Sequence, residues 1–222
     1  MQPKLDHLVI GANTLEQGVA YVEDLLGVAM PFGGVHRQLG THNHLMQLGR
    51  DVFLEVIAVN PDGDRPAGPR WYGLDDPFVR ARIQRQPTLL TWVVDTTNIH
   101  DLLMGANHSF GEPQRISRGA LSWDFGVTDD GRMIAGGMLP YVIQWHTDRH
   151  PAAKMADRDC RLQGLEIHHP FPRWIEAALA SIGALDLVSI HPLPKNAIPC
   201  LAADIETPNG RIHLKSGEGM LS

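Results

Sequence analysis

The stretch "KLDHLVIGANTLEQGVAYVEDLLGV", residues 4–28, decides the fold. Its opening alternates as a strand, with Leu5, His7 and Val9 on one face and Asp6, Leu8 and Ile10 on the other. The alternation breaks at Gly11 to Asn13. Leu15, Val19, Val22, Leu25 and Leu26 then recur at helical spacing. Asn13 or Thr14 is placed to cap the helix, Glu16 lies in its first turn, and Gly27 stands where a helix C-terminus favours glycine. One residue is out of place: His7 sits among apolar neighbours, and a buried imidazole needs a partner or a ligand.

Working outward, "THNHLMQLG" (41–49) and "DVFLEVIAV" (51–59) read as a hairpin after "PFGGVHRQLG" (31–40), so residues 1–60 form one β-α-β-β-β unit. The Pro/Gly-rich, charged segment 61–86 reads as a connection with one short helix from Pro77 to Arg85. Residues 87–148 repeat the strand, break and helix in "TLLTWVVDTTNIHDLLMGA", followed by strand-like "ALSWDFGVTDDGR" and "MLPYVIQW". Residues 160–218 hold a third, partial unit packed on the others: "RLQGLEIHHP", the helical "PRWIEAALASIGAL", then "LVSIHP", "CLAADIET" and "GRIHLKS". A period near 80 residues is too long for a solenoid, so the pattern reads as duplication of a supersecondary module. The expected class is α+β.

The chain has 222 residues, 43% of them apolar, with a formal charge of −6 and no Lys/Arg cluster, which argues against nucleic acid as a partner. Only Cys160 and Cys200 are present, without CxxC spacing, which suits a reducing compartment. Neither a signal-peptide layout nor a membrane-length apolar run occurs, so the expected location is cytoplasmic.

The second polar intrusion is Glu55 in "VFLEVIAV", a carboxylate in an apolar strand that needs a cation. His7 and Glu55 begin and end one unit, so on neighbouring strands they can converge as a half-site for a divalent metal.

The order "DHLVIGA…LEQGVAYVEDLLGV…GTHNHLMQLG…VFLEVIAV", followed by "PRWYGLDD", "LLTWVV" and "LPYVIQW", resembles the glyoxalase-like branch of the vicinal-oxygen-chelate superfamily. The resemblance implies repeated β-α-β-β-β modules whose curved mixed sheets form a cup around a divalent metal. It implies metal ligands on the first and last strands of two modules: His7 and Glu55 from the first, with Thr91 and Gln144 at the matching places of the second. Thr91 is a poor ligand and Gln144 a neutral one. His146, on the strand face of Gln144, and His213 in "TPNGRIHL" are the residues that could complete the set. A His, Glu and His set would suit iron or manganese, and a His, Glu and Gln set nickel, zinc or manganese.

His42 and Asn43 are candidate donors to a ligand oxygen, or else a polar strand start. Trp92, Trp145 and His146 are candidates to line the substrate cup, against core packing for the tryptophans and a solvated loop for His146 and His150. His168 and His169 are strand neighbours facing opposite ways, so at most one can reach a given ion. The leading expectation is a metal-dependent lyase, isomerase or dioxygenase acting on a small substrate with vicinal oxygens, with Glu55 as ligand and base. The alternatives are a module that sequesters a small molecule in the same cup, and a purely structural His7–Glu55 pair. A homodimer is left open.

Overall fold

In the computed structural model, which describes residues 2–216, the chain opens with β1 (Lys4–Gly11) and α1 (Leu15–Leu26). Thr14 caps the helix by accepting from Gln17 N at 3.3 Å, and Gly27 ends it in the left-handed conformation at φ 71°. The buried face of α1, Leu15, Val22 and Leu26, packs on β3 (Thr41–Gly49) and β4 (Val52–Val59), which follow the short β2 (Phe32–His36). After the connection comes α2 (Pro77–Arg85), with Pro77 in its first turn and Asp76 capping Phe78 and Val79. β5 (Thr88–Asp95), α3 (Ile99–Gly105), β6 (Glu112–Arg118), β7 (Leu121–Val127) and β8 (Tyr141–Trp145) repeat the order of the first unit.

These eight strands form one sheet in the order β2-β3-β4-β1-β5-β8-β7-β6. Each unit pairs its first and last strands in parallel, and the two units join through antiparallel β1 and β5. The sheet curls until its edges meet: Ser117 N donates to Gln38 Oε1 at 3.0 Å, and Arg118 reaches across to His36 and Asn43. The result is a curved, nearly closed α+β sheet enclosing a cup.

β6 is absent from the sequence reading. Its "EPQRISR" carries a proline and two arginines with one fully buried residue, Ile116, a composition that a sheet tolerates at an edge.

The remaining strands, β9 (Arg161–His169), β10 (Ser189–Pro192), β11 (Cys200–Thr207) and β12 (Gly210–Lys215), form a second sheet with α4 (Pro172–Ser181) on it. The element order is again β-α-β-β-β, but the pairing is β10-β9-β11-β12, with β10 parallel to β9. The third unit is therefore wired differently from the first two. Leu165, Ile167, Leu201 and Ile205 join the same core as Leu8, Ile10 and Trp92. Among the described residues no helix is long and apolar enough to cross a membrane.

Candidate functional site

The cup is walled by Phe53, Trp71, Trp123, Phe125 and Trp145 and floored by polar side chains. It encloses about 30 Å³, room for an ion or a water among its side chains as they stand. His7 on β1 and Glu55 on β4 both line it. They share a face because Val9 pairs with Glu55 and His7 with Phe53 in the parallel register. The His7 ring stacks on Phe53 with centroids 4.4 Å apart, which fixes its plane.

In a regular strand Asp6 would point away from His7. The β1–β5 register instead shifts between Leu5 and His7, and this bulge brings the Asp6 carboxylate onto Nδ1 of His7. Asp6 is fully buried and also accepts from Trp145 Nε1 at 2.7 Å and from His150 Nε2 at 2.8 Å. Burial pushes its pKa up, yet the hydrogen bonds from His150 and His7 and their charges outweigh it and hold the carboxyl at about 2. Asp6 thus presents an acceptor to Nδ1, which places a proton there and turns Nε2 into the cup.

Nε2 of His7 stands 3.6 Å from Glu55 Oε2, beyond hydrogen-bond length, and 3.4 Å from the Tyr72 hydroxyl. The other carboxylate oxygen, Glu55 Oε1, accepts from Asn43 Nδ2 at 2.6 Å. Asn43 Oδ1 in turn accepts from Arg118 at 3.1 Å, and the same guanidinium nitrogen donates to His36 Nε2 at 3.1 Å. His36 is thereby an acceptor at Nε2 and a donor from Nδ1 to Thr41 Oγ1 at 3.1 Å. Burial and the Arg118 charge hold its pKa down to about 3, so it stays neutral.

Tyr72 comes from the tight turn Trp71–Gly73 and holds φ at 57°, a left-handed conformation that a tyrosine adopts at a cost of about 1–3 kcal/mol. Burial, the Glu55 charge, Tyr141, the Asp6 charge and a hydrogen bond to Glu55 push its phenol well above the usual range. It is a neutral donor held inside the cup.

The family model of the glyoxalase-like domain matches residues 5–183. The chain belongs to the glyoxalase-like domain family. Comparison with curated proteins finds no match. Among solved structures, a hypothetical protein from Staphylococcus aureus is similar at 14% identity over 97% of this chain and 87% of that one, with a TM-score of 0.60. A mutant 4-hydroxymandelate synthase from Streptomyces coelicolor is similar at 13% identity over 97% of this chain, with a TM-score of 0.50. The chain spans 63% of that synthase. At these identities the likeness is one of fold, that of the vicinal-oxygen-chelate superfamily.

Within this glyoxalase-like cup the second module departs from the expected ligand positions. Its register places Val93 opposite Tyr141 where the first module has Val9 opposite Glu55, so Tyr141 and not Gln144 is the counterpart of Glu55. Gln144 lies three residues on, on the outer face, where Oε1 accepts from Ile99 N at 2.9 Å at the start of α3. His146 shares that outer face and pairs with Asp124 at 2.9 Å. Thr91 is buried with its hydroxyl on the carbonyl of Trp92. His213 on β12 of the second sheet pairs with Asp204 at 2.6 Å.

Strand alternation separates other candidates too. Asn43 lines the cup, whereas its neighbour His42 lies on the opposite face of β3, where Glu16 is among the charges that act on it. Trp145 lines the cup. Trp92 lies on the other face of β5, fully buried, with its indole N–H on the carbonyl of Met138 at 3.0 Å. His150, read as a solvated loop residue, closes onto Asp6 instead.

The donors can be tested against a divalent ion. His7 Nε2 and Glu55 Oε2 are lone-pair donors separated by a gap that an ion with bonds of about 2.0–2.2 Å would bridge. Among the described residues no third His, Cys, Asp or Glu completes the set there. The residues fit an ion held at two points, its other positions left to water and substrate.

Asp95, just outside this network, has its pKa raised to about 6, first by burial and then by the Asp6 charge. A carboxyl raised above its unfolded value of 3.8 costs stability that builds as pH rises from about 3.8 and is fully present above about 6. Asp95→Asn should therefore raise the melting temperature at pH 8 and leave it unchanged below pH 4, which thermal melts at the two pH values would check.

Proposed function

We propose that the chain is a glyoxalase-like enzyme whose cup takes a small anionic substrate with vicinal oxygens. His7 Nε2 and Glu55 Oε2 hold a divalent metal: zinc, nickel, manganese or iron. The observation that supports this reading is the 3.6 Å gap between the two donors. With its proton on the Asp6 side, the His7 lone pair faces a carboxylate lone pair, an arrangement that repels unless a cation lies between them. A bound ion would supply the positive charge that polarises the two substrate oxygens.

The remaining roles fall to this chain's own groups. Asn43 occupies Glu55 Oε1 and fixes the carboxylate plane, so Oε2 is the oxygen that would hold the ion and whose second lone pair would take and return the proton at the carbon beside the substrate carbonyl. The neutral Tyr72 phenol can donate to an oxygen on which negative charge develops. Arg118 is a half-buried guanidinium that lines the cup with no carboxylate within ion-pair distance among the described residues, so it suits an anionic substrate group. Cytoplasmic location belongs to the same reading.

The second reading, a module that sequesters a small molecule without chemistry, is favoured by Thr91 and Tyr141, which add no donor to the cup. The two readings separate by proton exchange. Manganese- or zinc-loaded protein in D2O, given small 2-oxo acids and 2-hydroxy ketones, should exchange the C–H beside the carbonyl, read by NMR. Glu55→Gln, which removes a ligand and the base together, should abolish the exchange. Arg118→Leu should weaken binding of the 2-oxo acids about 10–100-fold and affect the neutral ketones less. Wild-type binding without exchange for every compound would leave the sequestering module.

A further inference from the structure

The second sheet carries a constellation that the cup does not use. Glu166 and His168 are two residues apart on β9 and so share a face. His191 on β10 stands in register with His168 across the parallel pair, which sets the two imidazoles side by side on that face. Their rings stack with centroids 4.8 Å apart and planes 25° from parallel. Both rings turn Nε2 toward one oxygen, Glu166 Oε2, at 3.0 Å from His168 and 3.8 Å from His191. Only the first is within hydrogen-bond length, so the carboxylate satisfies one imidazole and leaves the other facing it across a gap.

His169 confirms which histidine belongs to the group. It lies on the opposite face, with Nδ1 accepting from Phe171 N at 3.0 Å and its ring against Trp174. Among the described residues, Glu166, His168 and His191 form the one set of three such side chains whose donor atoms all lie within 4.8 Å of one another.

We propose that Glu166, His168 and His191 form a second divalent-metal site, separate from the cup. Ligand bonds of about 2.0–2.2 Å around a tetrahedral ion place donors roughly 3.3–3.6 Å apart, so donors that already lie within 4.8 Å of one another need to draw together by about 1 Å at most to close the set. Two imidazoles with one carboxylate select zinc, nickel or cobalt over calcium or magnesium, which prefer oxygen ligands alone. Three protein ligands leave a fourth position open to water or to a ligand. The side chains are 27%, 33% and 46% exposed for His168, Glu166 and His191, so an ion reaches them without any opening of the fold.

The test uses tag-free full-length protein carrying His7→Ala and Glu55→Gln, so that the outcome is independent of the cup. Zinc chloride is titrated by calorimetry, and thermal melts are run with and without zinc. One zinc per chain is expected, with a zinc-dependent rise in melting temperature. Adding His168→Ala and His191→Ala should weaken binding by more than about 100-fold and abolish that rise. Glu166→Gln, the least perturbing change, should weaken binding while leaving the zinc-free melt unaltered. No zinc uptake by the cup-silenced protein, or uptake indifferent to His168 and His191, would overturn the site.

Discussion

Asp6→Ala should lower the melting temperature by about 10 °C and flatten the dependence of stability on pH. The carboxylate has no solvent contact and three partners, His7, His150 and Trp145, so its removal strands two imidazoles and an indole N–H in the interior. Losing one partner of a buried charged pair costs about 3–5 kcal/mol. The wild-type profile carries the sign of the interaction. Asp6 falls from 3.8 unfolded to about 2 folded, so its contribution, about 2.5 kcal/mol, is fully present above pH 4 and is lost as pH falls toward 2.

His150 is shifted the other way. Burial would lower its pKa, but the hydrogen bond to Asp6 and the charges of Asp6, Asp95 and Asp51 raise it above 6.5. Its contribution is complete below 6.5 and fades as pH rises through the folded value. The Asp6–His150 attraction is therefore fully expressed between about pH 4 and 6.5. Melts of wild type and Asp6→Ala from pH 2 to 8 should differ most in that window. An unchanged pH profile in the variant would remove Asp6 from the account. Because Asp6 orients His7, Asp6→Asn should also weaken metal binding in the cup by about 10–100-fold.

The second large effect is expected at His7 and Glu55, and it separates an ion site from a structural pair. An ion that binds only the folded state, present at about 100 times its Kd, adds about 2.7 kcal/mol. Chelator should therefore lower the wild-type melt, and His7→Ala and Glu55→Gln should each abolish that sensitivity. The double variant should then cost little more than either single one, because the two residues act as a unit. A structural pair behaves differently: each single variant would cost about 3–5 kcal/mol with or without chelator, and an apolar double replacement would recover part of the loss. The melts belong in a His168→Ala/His191→Ala background, so that the second sheet does not respond to chelator.

Much of this architecture is legible in the sequence, because it depends on periodicity. The change from alternation to helical spacing around Gly11 to Thr14 marks β1 and α1, and polar intrusions at His7 and Glu55 stand out against apolar strands. What escapes depends on geometry that periodicity does not encode. A bulge moves Asp6 onto the face of His7, against strict alternation. Three residues of register move the counterpart of Glu55 from Gln144 to Tyr141. Tyr72 enters the cup from a segment that reads as a linker, through a backbone conformation rare for tyrosine. Arg118 lies on β6, an edge strand too polar to be recognised. His150 reaches Asp6 across 144 positions, a contact that only the folded sheet creates.

The central claim is that His7 and Glu55 share a divalent ion. Its most direct test is calorimetric titration of Mn2+, Zn2+, Ni2+ and Fe2+ into tag-free, chelator-treated protein carrying His168→Ala and His191→Ala. The account predicts one ion per chain for at least one of these metals, with binding lost in both His7→Ala and Glu55→Gln while each variant remains folded. Failure of all four metals to bind, or binding that survives both substitutions, would contradict it.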